Sequence, residues 1–309
     1  ALDANTTASN NTAVGTNSSR FNQTGADNLS VGAYSLQANI TGSDNTAIGR
    51  SALASNTTAS NNTAVGRNAL GSNTTGADNT AIGQRALDAC TTGSNNTAGG
   101  GNALGELTSG GHNTAFGKGA LDANTSASDN TAFGSHSLGA NSTGYRNVAV
   151  GREAMFSNTT AIDNTAVGTT ALYSNTTGNA NTGVGRQAIY TNTTGSNNTA
   201  VGYNALDDST TASNNTAVGK SALTATTTGP YNTAVGHEAM EVNTTGTQNV
   251  AIGAFALDDS TTANGNTAIG YASLSANTTG TFNAAVGMDC LLNNSTGSYN
   301  TAMGRKTMV

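Results

Sequence analysis

Residues 62–78 read NTAVGRNALGSNTTGAD, and residues 79–95, NTAIGQRALDACTTGSN, repeat the phrase with few changes. The glycine closing each NTAVG-like word recurs at Gly15, Gly32, Gly49, Gly66, Gly83, Gly100, Gly117, Gly134, Gly151, Gly168, Gly185, Gly202, Gly219, Gly236, Gly253, Gly270, Gly287 and Gly304. Every interval is seventeen residues, with no insertion or deletion across eighteen copies, so the repeat takes up essentially all of the 309-residue chain. Such self-similarity dictates the fold before any local propensity does. It predicts one continuous domain over residues 1–309, without linker or tail.

Aligned on that glycine, the copies resolve into columns. Four residues earlier stands an invariant asparagine: Asn11, Asn28, Asn45, Asn62, Asn79, Asn96, Asn113, Asn130, Asn147, Asn164, Asn181, Asn198, Asn215, Asn232, Asn249, Asn266, Asn283 and Asn300. A mostly threonine column follows, with Leu29, Val148, Val250 and Ala284 as replacements. Next comes a small column of Ala with Ser30 and Gly183, then a Val, Ile, Phe or Met column broken by Gly99. Alternation is the signature of a strand, and the apolar replacements assign the Thr and Val columns to the inside. The small column is then either a face approached closely by another subunit or part of a narrow interior. A Leu, Met or Ile column four residues after the glycine, broken by Ser19, is a second inward anchor. Further on, Thr or Ser followed by Gly or Ala has the composition of a second turn.

Seventeen residues are too few for a helical-hairpin repeat, and Thr, Val, Gly and Asn disfavour helix. The fold expected is all-β: a parallel β-solenoid, or β-roll, of about 18 coils with a 17-residue repeat. Each coil is expected to carry two or three short strands: one on the TAVG word, one around Ala-Leu and, in the three-strand case, one on Asn-Thr-Thr. Coils spaced about 4.8 Å apart would make a rod on the order of 85 Å long. The invariant Asn fits an amide ladder running from coil to coil. Solenoids need covered ends, and the chain starts at Ala1 without a polar cap, which suggests a processed product or a segment of something longer.

Charged residues make up 9% of the chain and the net charge is −6, which leaves no basic footprint for nucleic acid. No apolar run of about twenty residues is present to span a membrane. Seven of the eleven basic residues directly follow the key glycine: Arg50, Arg67, Lys118, Arg152, Arg186, Lys220 and Arg305. Acids gather five residues before it, as Asp27, Asp44, Asp78, Asp129 and Asp163, or five after, as Asp88, Asp122, Asp207, Glu241 and Asp258. These columns are the solvent corners. His112, His136 and His237 fall in three different columns, so neither a metal nor a cofactor is expected. Cys90 and Cys290 lie too far apart along the repeat to pair. Asn-x-Thr sequons at Asn56, Asn73, Asn158 and Asn175 are candidate glycosylation sites, although the repeat itself generates them.

The words NTAIGRSAL at 45–53 and NTAIGQRAL at 79–87 resemble the head repeats of YadA-like trimeric autotransporter adhesins, and similar repeats occur in phage tail-fibre proteins. The resemblance implies a left-handed parallel β-roll, trimers of chains and adhesion outside a cell, with Ala47, Ile48 and Gly49 as structural strand positions. The functional expectation is a non-enzymatic extracellular or cell-surface fibre protein that self-associates as a trimer or filament and meets cell-surface or glycan targets. The alternative is an ice-binding protein that uses adjacent Thr ladders such as Thr74–Thr75 and Thr176–Thr177.

Overall fold

The computed structural model describes residues 1–308, so only Val309 of the expected domain lies outside the described residues. It is an all-β solenoid with a seventeen-residue repeat, no helix among the described residues, and eighteen three-residue strands, one per repeat. The chain divides into two compact units. The first, Ala1–Glu153 with Asn158–Thr160, carries β1 (Thr12–Val14) to β9 (Val148–Val150). The second, Ala154–Ser157 with the chain from Ala161 onward, carries β10 (Thr165–Val167) to β18 (Thr301–Met303).

Within each unit every strand pairs in parallel with the next, column on column. Thr63, Ala64 and Val65 stand opposite Thr80, Ala81 and Ile82 in the first unit. Thr199, Ala200 and Val201 stand opposite Thr216, Ala217 and Val218 in the second. The Thr63 N–H donates to the Asn79 carbonyl of the following coil at 2.8 Å, while the Gly66 N–H donates to the Ile48 carbonyl of the preceding coil at 2.8 Å. Each coil therefore satisfies backbone groups on both neighbours.

Among the described residues no strand forms on the Ala-Leu or Asn-Thr-Thr stretches. The Ala-Leu and Asn-Thr-Thr stretches are turns and bends that still hydrogen-bond between coils, Leu70 N–H to Ala86 O at 3.0 Å and Thr74 N–H to Thr91 O at 2.9 Å. The reason lies in the dihedrals: Asn68 (φ 59°) and Leu70 (φ 49°) are both left-handed. Those two residues bend the chain sharply and fold the leucine into the coil. The left-handed region costs a non-glycine residue on the order of 1–2 kcal/mol, whereas full burial of a leucine contributes about 1.5–3 kcal/mol. Burial wins, and the column stays Leu, Met or Ile.

The strand faces are also the reverse of those expected. The small column points inward, with Ala47, Ala64, Ala81, Ala200 and Ala217 fully buried, whereas the Val column points out, leaving Ile48 38% and Ile82 50% exposed. The interior is one side chain thick and the Leu column fills it. A Cβ at Gly183 would already lie 3.4 Å from Leu172 Cγ and 3.2 Å from Ala188 O, so nothing as large as valine fits there. The small column is thus a narrow interior within one chain, not a contact between subunits.

Candidate functional site

The invariant asparagines line the inner edge of the turn before each strand. Asn62 is fully buried, donates Nδ2–H to Gly76 O at 3.0 Å, and accepts the Asn79 backbone N–H on Oδ1 at 3.0 Å. Asn198 repeats this in the second unit, donating to Ala212 O at 2.8 Å and accepting the Asn215 N–H at 3.0 Å. One side chain thus serves a turn carbonyl and the backbone of the next coil. Aspartate has no N–H for the carbonyl, and glutamine is a methylene too long.

A second buried amide ladder escaped the reading of the sequence. Asn56 Nδ2 donates to Asn39 Oδ1 at 2.9 Å and to Ala59 O at 3.0 Å, and Asn73 Nδ2 to Asn56 Oδ1 at 3.0 Å and Gly76 O at 2.9 Å. Cys90, Leu107, Ser209, Thr226 and Ser260 interrupt it, which hid it as a column. Where Cys90, Ser209 or Ser260 follows an asparagine, the preceding Oδ1 of Asn73, Asn192 or Asn243 is buried without a partner among the described residues. The four sequon asparagines Asn56, Asn73, Asn158 and Asn175 all belong to this ladder and are fully buried. Their amide nitrogens face the interior, so the folded coil excludes a glycan there, and these candidate glycosylation sites are corrected to structural rungs.

The key glycines adopt φ values from 119° at Gly304 to 144° at Gly236. A Cβ on Gly66 would lie 2.5 Å from Gly83 O and 2.7 Å from Gly83 C, so both dihedral and contact demand glycine. Other glycines make room for a neighbour in the same column. A side chain at Gly99 would overlap the Phe116 ring, one at Gly119 the His136 ring, and one at Gly265 the Phe282 ring. At these three places a ring leans back over the preceding coil, and glycine stands where it leans. Two exceptional serines are coupled in the same way. Ser19 in the Leu column and Ser30 in the inner column join Oγ to Oγ at 2.7 Å, inside a buried hydroxyl cluster with Ser18.

No group of three or more His, Cys, Asp or Glu able to hold a metal is present among the described residues. His237 Nε2 lies 3.2 Å from Glu238 Oε1, and Lys220 Nζ lies 3.4 Å from the same oxygen. A shallow open cleft of about 180 Å³ is lined by Arg85, Asp88, Asn102, Gly105, Glu106 and Asp122. Burial raises the pKa of Asp88 against the pull of Arg85, and raises that of Asp122 together with the nearby Glu106. Asp207 and Asp258 are each pushed up to about 6, by burial first and then by Asp208 and Asp259 respectively. Both cysteines are free and buried, and burial pushes the Cys90 thiol up to about 11, far from a reactive thiolate.

The outward surface has three parts. Corner columns carry the variable side chains, including a stack of Phe156, Tyr173 and Tyr190 with centroids 5.5 and 5.2 Å apart, and Arg186 over Tyr203 at 5.5 Å. The bend after the second Asn ladder carries adjacent Thr residues, but the first of each pair is committed to the backbone. Thr74 Oγ1 donates to Thr91 O at 2.9 Å, and Thr176 Oγ1 to Thr193 O at 2.9 Å. The strand itself presents the Thr and Val columns side by side, half-buried to exposed. No helix among the described residues is long and apolar enough to cross a membrane. No protein-family model matches the chain, and no curated protein is detectably similar to it.

Proposed function

We propose that this protein is a non-enzymatic structural or adhesive fibre protein that works outside the cell or at its surface and associates with copies of itself. The observation that supports this best is the use made of its polar chemistry. The Asn62 and Asn198 amides, the Thr74 hydroxyl and the backbone N–H groups at the strands are committed to neighbouring coils. Side chains spent on cross-coil bonds resist unfolding and proteolysis, which suits a structural role better than a catalytic one. Variation is concentrated on the corners, where Arg, Asp, Tyr and Phe change from coil to coil on an unchanging scaffold. That arrangement suits many weak contacts with a surface better than one tight contact with a small ligand. The likeness of NTAIGRSAL at 45–53 to adhesin head and tail-fibre repeats supports the same reading.

The test combines limited proteolysis with electron microscopy of purified protein. The expected result is survival of the repeat under native conditions and assemblies of more than one chain in cross-section. A monomer digested as fast as an unfolded chain would overturn the reading.

A further inference from the structure

The outward strand face of the second unit is the least ordinary surface of the protein. From Thr165–Val167 to Thr233–Val235, five successive rungs read Thr, inward small residue, Val, and pair in register. The rungs are about 4.8 Å apart, and Thr and Val on one strand are separated by about 6.6 Å. All ten outward side chains are β-branched, hence stiff at χ1, and none is charged. Val167 and Val201 are 36% and 38% exposed on a monomer. The Thr199 and Thr216 hydroxyls bond to no protein group among the described residues, whereas Thr210 Oγ1, in the bend, donates to Thr227 O at 3.1 Å.

We infer that this Thr and Val face binds ice. A crystalline water surface is itself a rigid periodic array, and the partner it selects must be flat, repetitive and uncharged, because ionic groups hold a hydration shell of their own. Valine methyls order the first water layer around them, and the free Thr hydroxyls tie that layer to the lattice. Stiff side chains lose little rotamer entropy on contact.

A second copy of this chain fits the face less well in either two-fold arrangement. With the solenoids parallel, each Thr hydroxyl column meets a Val column, burying donors without acceptors. With them antiparallel, the edge bearing Arg186 and Lys220 meets its own copy. The sequence alone pointed to the Thr pairs of the bend as the ice site. The inferred site lies instead on the strand, where neither outward column is committed to backbone among the described residues, whereas in the bend the first Thr of each pair is.

The experiment measures thermal hysteresis and inhibition of ice recrystallisation for the intact chain, for Thr199→Lys combined with Val201→Lys, and for Thr211→Lys on the bend. The expected outcome is activity in the parent, its loss in the strand variant and its retention in the bend variant, with circular dichroism and melting temperature unchanged in both. A parent without hysteresis overturns the inference. So does activity lost only in Thr211→Lys, or a sedimenting mass that falls by half in the strand variant, which would show that a second copy covers the face. Protease resistance is read independently of these outcomes, and a mass that falls by half would support self-association while overturning ice binding, so the two readings fail separately.

Discussion

The Phe116 ring occupies the space that a side chain on Gly99 would fill. The ring also stacks on Phe133, with centroids 5.0 Å apart, so it cannot retreat along the column without breaking that stack. Gly99→Val is expected to destabilise the first unit by about 1–3 kcal/mol, the usual cost of overpacking. Phe116→Val in the same chain removes the obstacle and restores a Val rung. Urea unfolding of the two single variants and the double variant measures the coupling, and strict additivity would contradict the packing described.

Gly100 and Gly101 are neighbours in sequence with opposite demands. Gly100 has φ 122° and would place a Cβ 2.7 Å from Gly117 O, whereas a Cβ on Gly101 would meet nothing nearer than 3.9 Å. Gly100→Ala therefore combines backbone strain with collision and is expected to cost about 3 kcal/mol or more. Gly101→Ala is expected to stay within about 0.5 kcal/mol of the parent. Thermal melts of the pair give the comparison directly.

Ser260 interrupts the second amide ladder and leaves Asn243 Oδ1 without a donor. In Ser260→Asn the new amide donates to that oxygen and to Ala263 O, as Asn73 does to Asn56 and Gly76, and it accepts from Asn277 in the next coil. A gain of about 1–2 kcal/mol is expected from satisfying the buried group. Cys90→Asn should gain less, because the next rung is Leu107 and the new Oδ1 finds no donor there. Equal gains from both variants would show that the ladder is not cooperative along the column.

Asp207 is the group through which pH should act on the second unit. Its pKa in the fold is about 6, raised by burial and then by Asp208, against an ordinary value of about 3.9. Between those values the folded chain holds a proton that the unfolded chain has released. Stability is therefore greatest below about pH 4, falls as pH rises towards about 6 and levels off above it. Asp207→Asn is expected to flatten this slope and raise the melting temperature at neutral pH. Adding Asp258→Asn should flatten it further, as Asp258 is also pushed up to about 6. A melting profile that rises with pH over this range would refute the assignment.

The parts legible in the sequence were those where one backbone demand recurs in every coil. Gly66 must hold φ 136° against its neighbour, and Asn62 must serve a carbonyl and an amide, so neither column varies. The direction of the strand was not legible, since an Ala-in and a Val-in coil alternate with the same period of two. What decides between them is the Leu column: a Cβ at Gly183 would lie 3.4 Å from Leu172 Cγ, which leaves only an alanine's width at the inward position. The left-handed Leu70 also replaced an expected strand with a turn, a conformation that composition does not advertise. The second Asn ladder was obscured because Cys90 and Leu107 can fill its space without making its bonds. Gly99 looked like a blemish until it was set against Phe116 one repeat later.

In-register pairing of Thr63 with Thr80 and of Ala64 with Ala81 makes the chief neighbour of each residue its own counterpart. A duplicated stretch of gene one repeat long therefore encodes a coil that arrives already fitted to the coils beside it. A point mutation has no such advantage, and must be answered one repeat away, as Phe116 is answered by Gly99. Such a chain lengthens in evolution more readily than it diversifies, and new specificity enters first at the corners, where no counterpart has to agree.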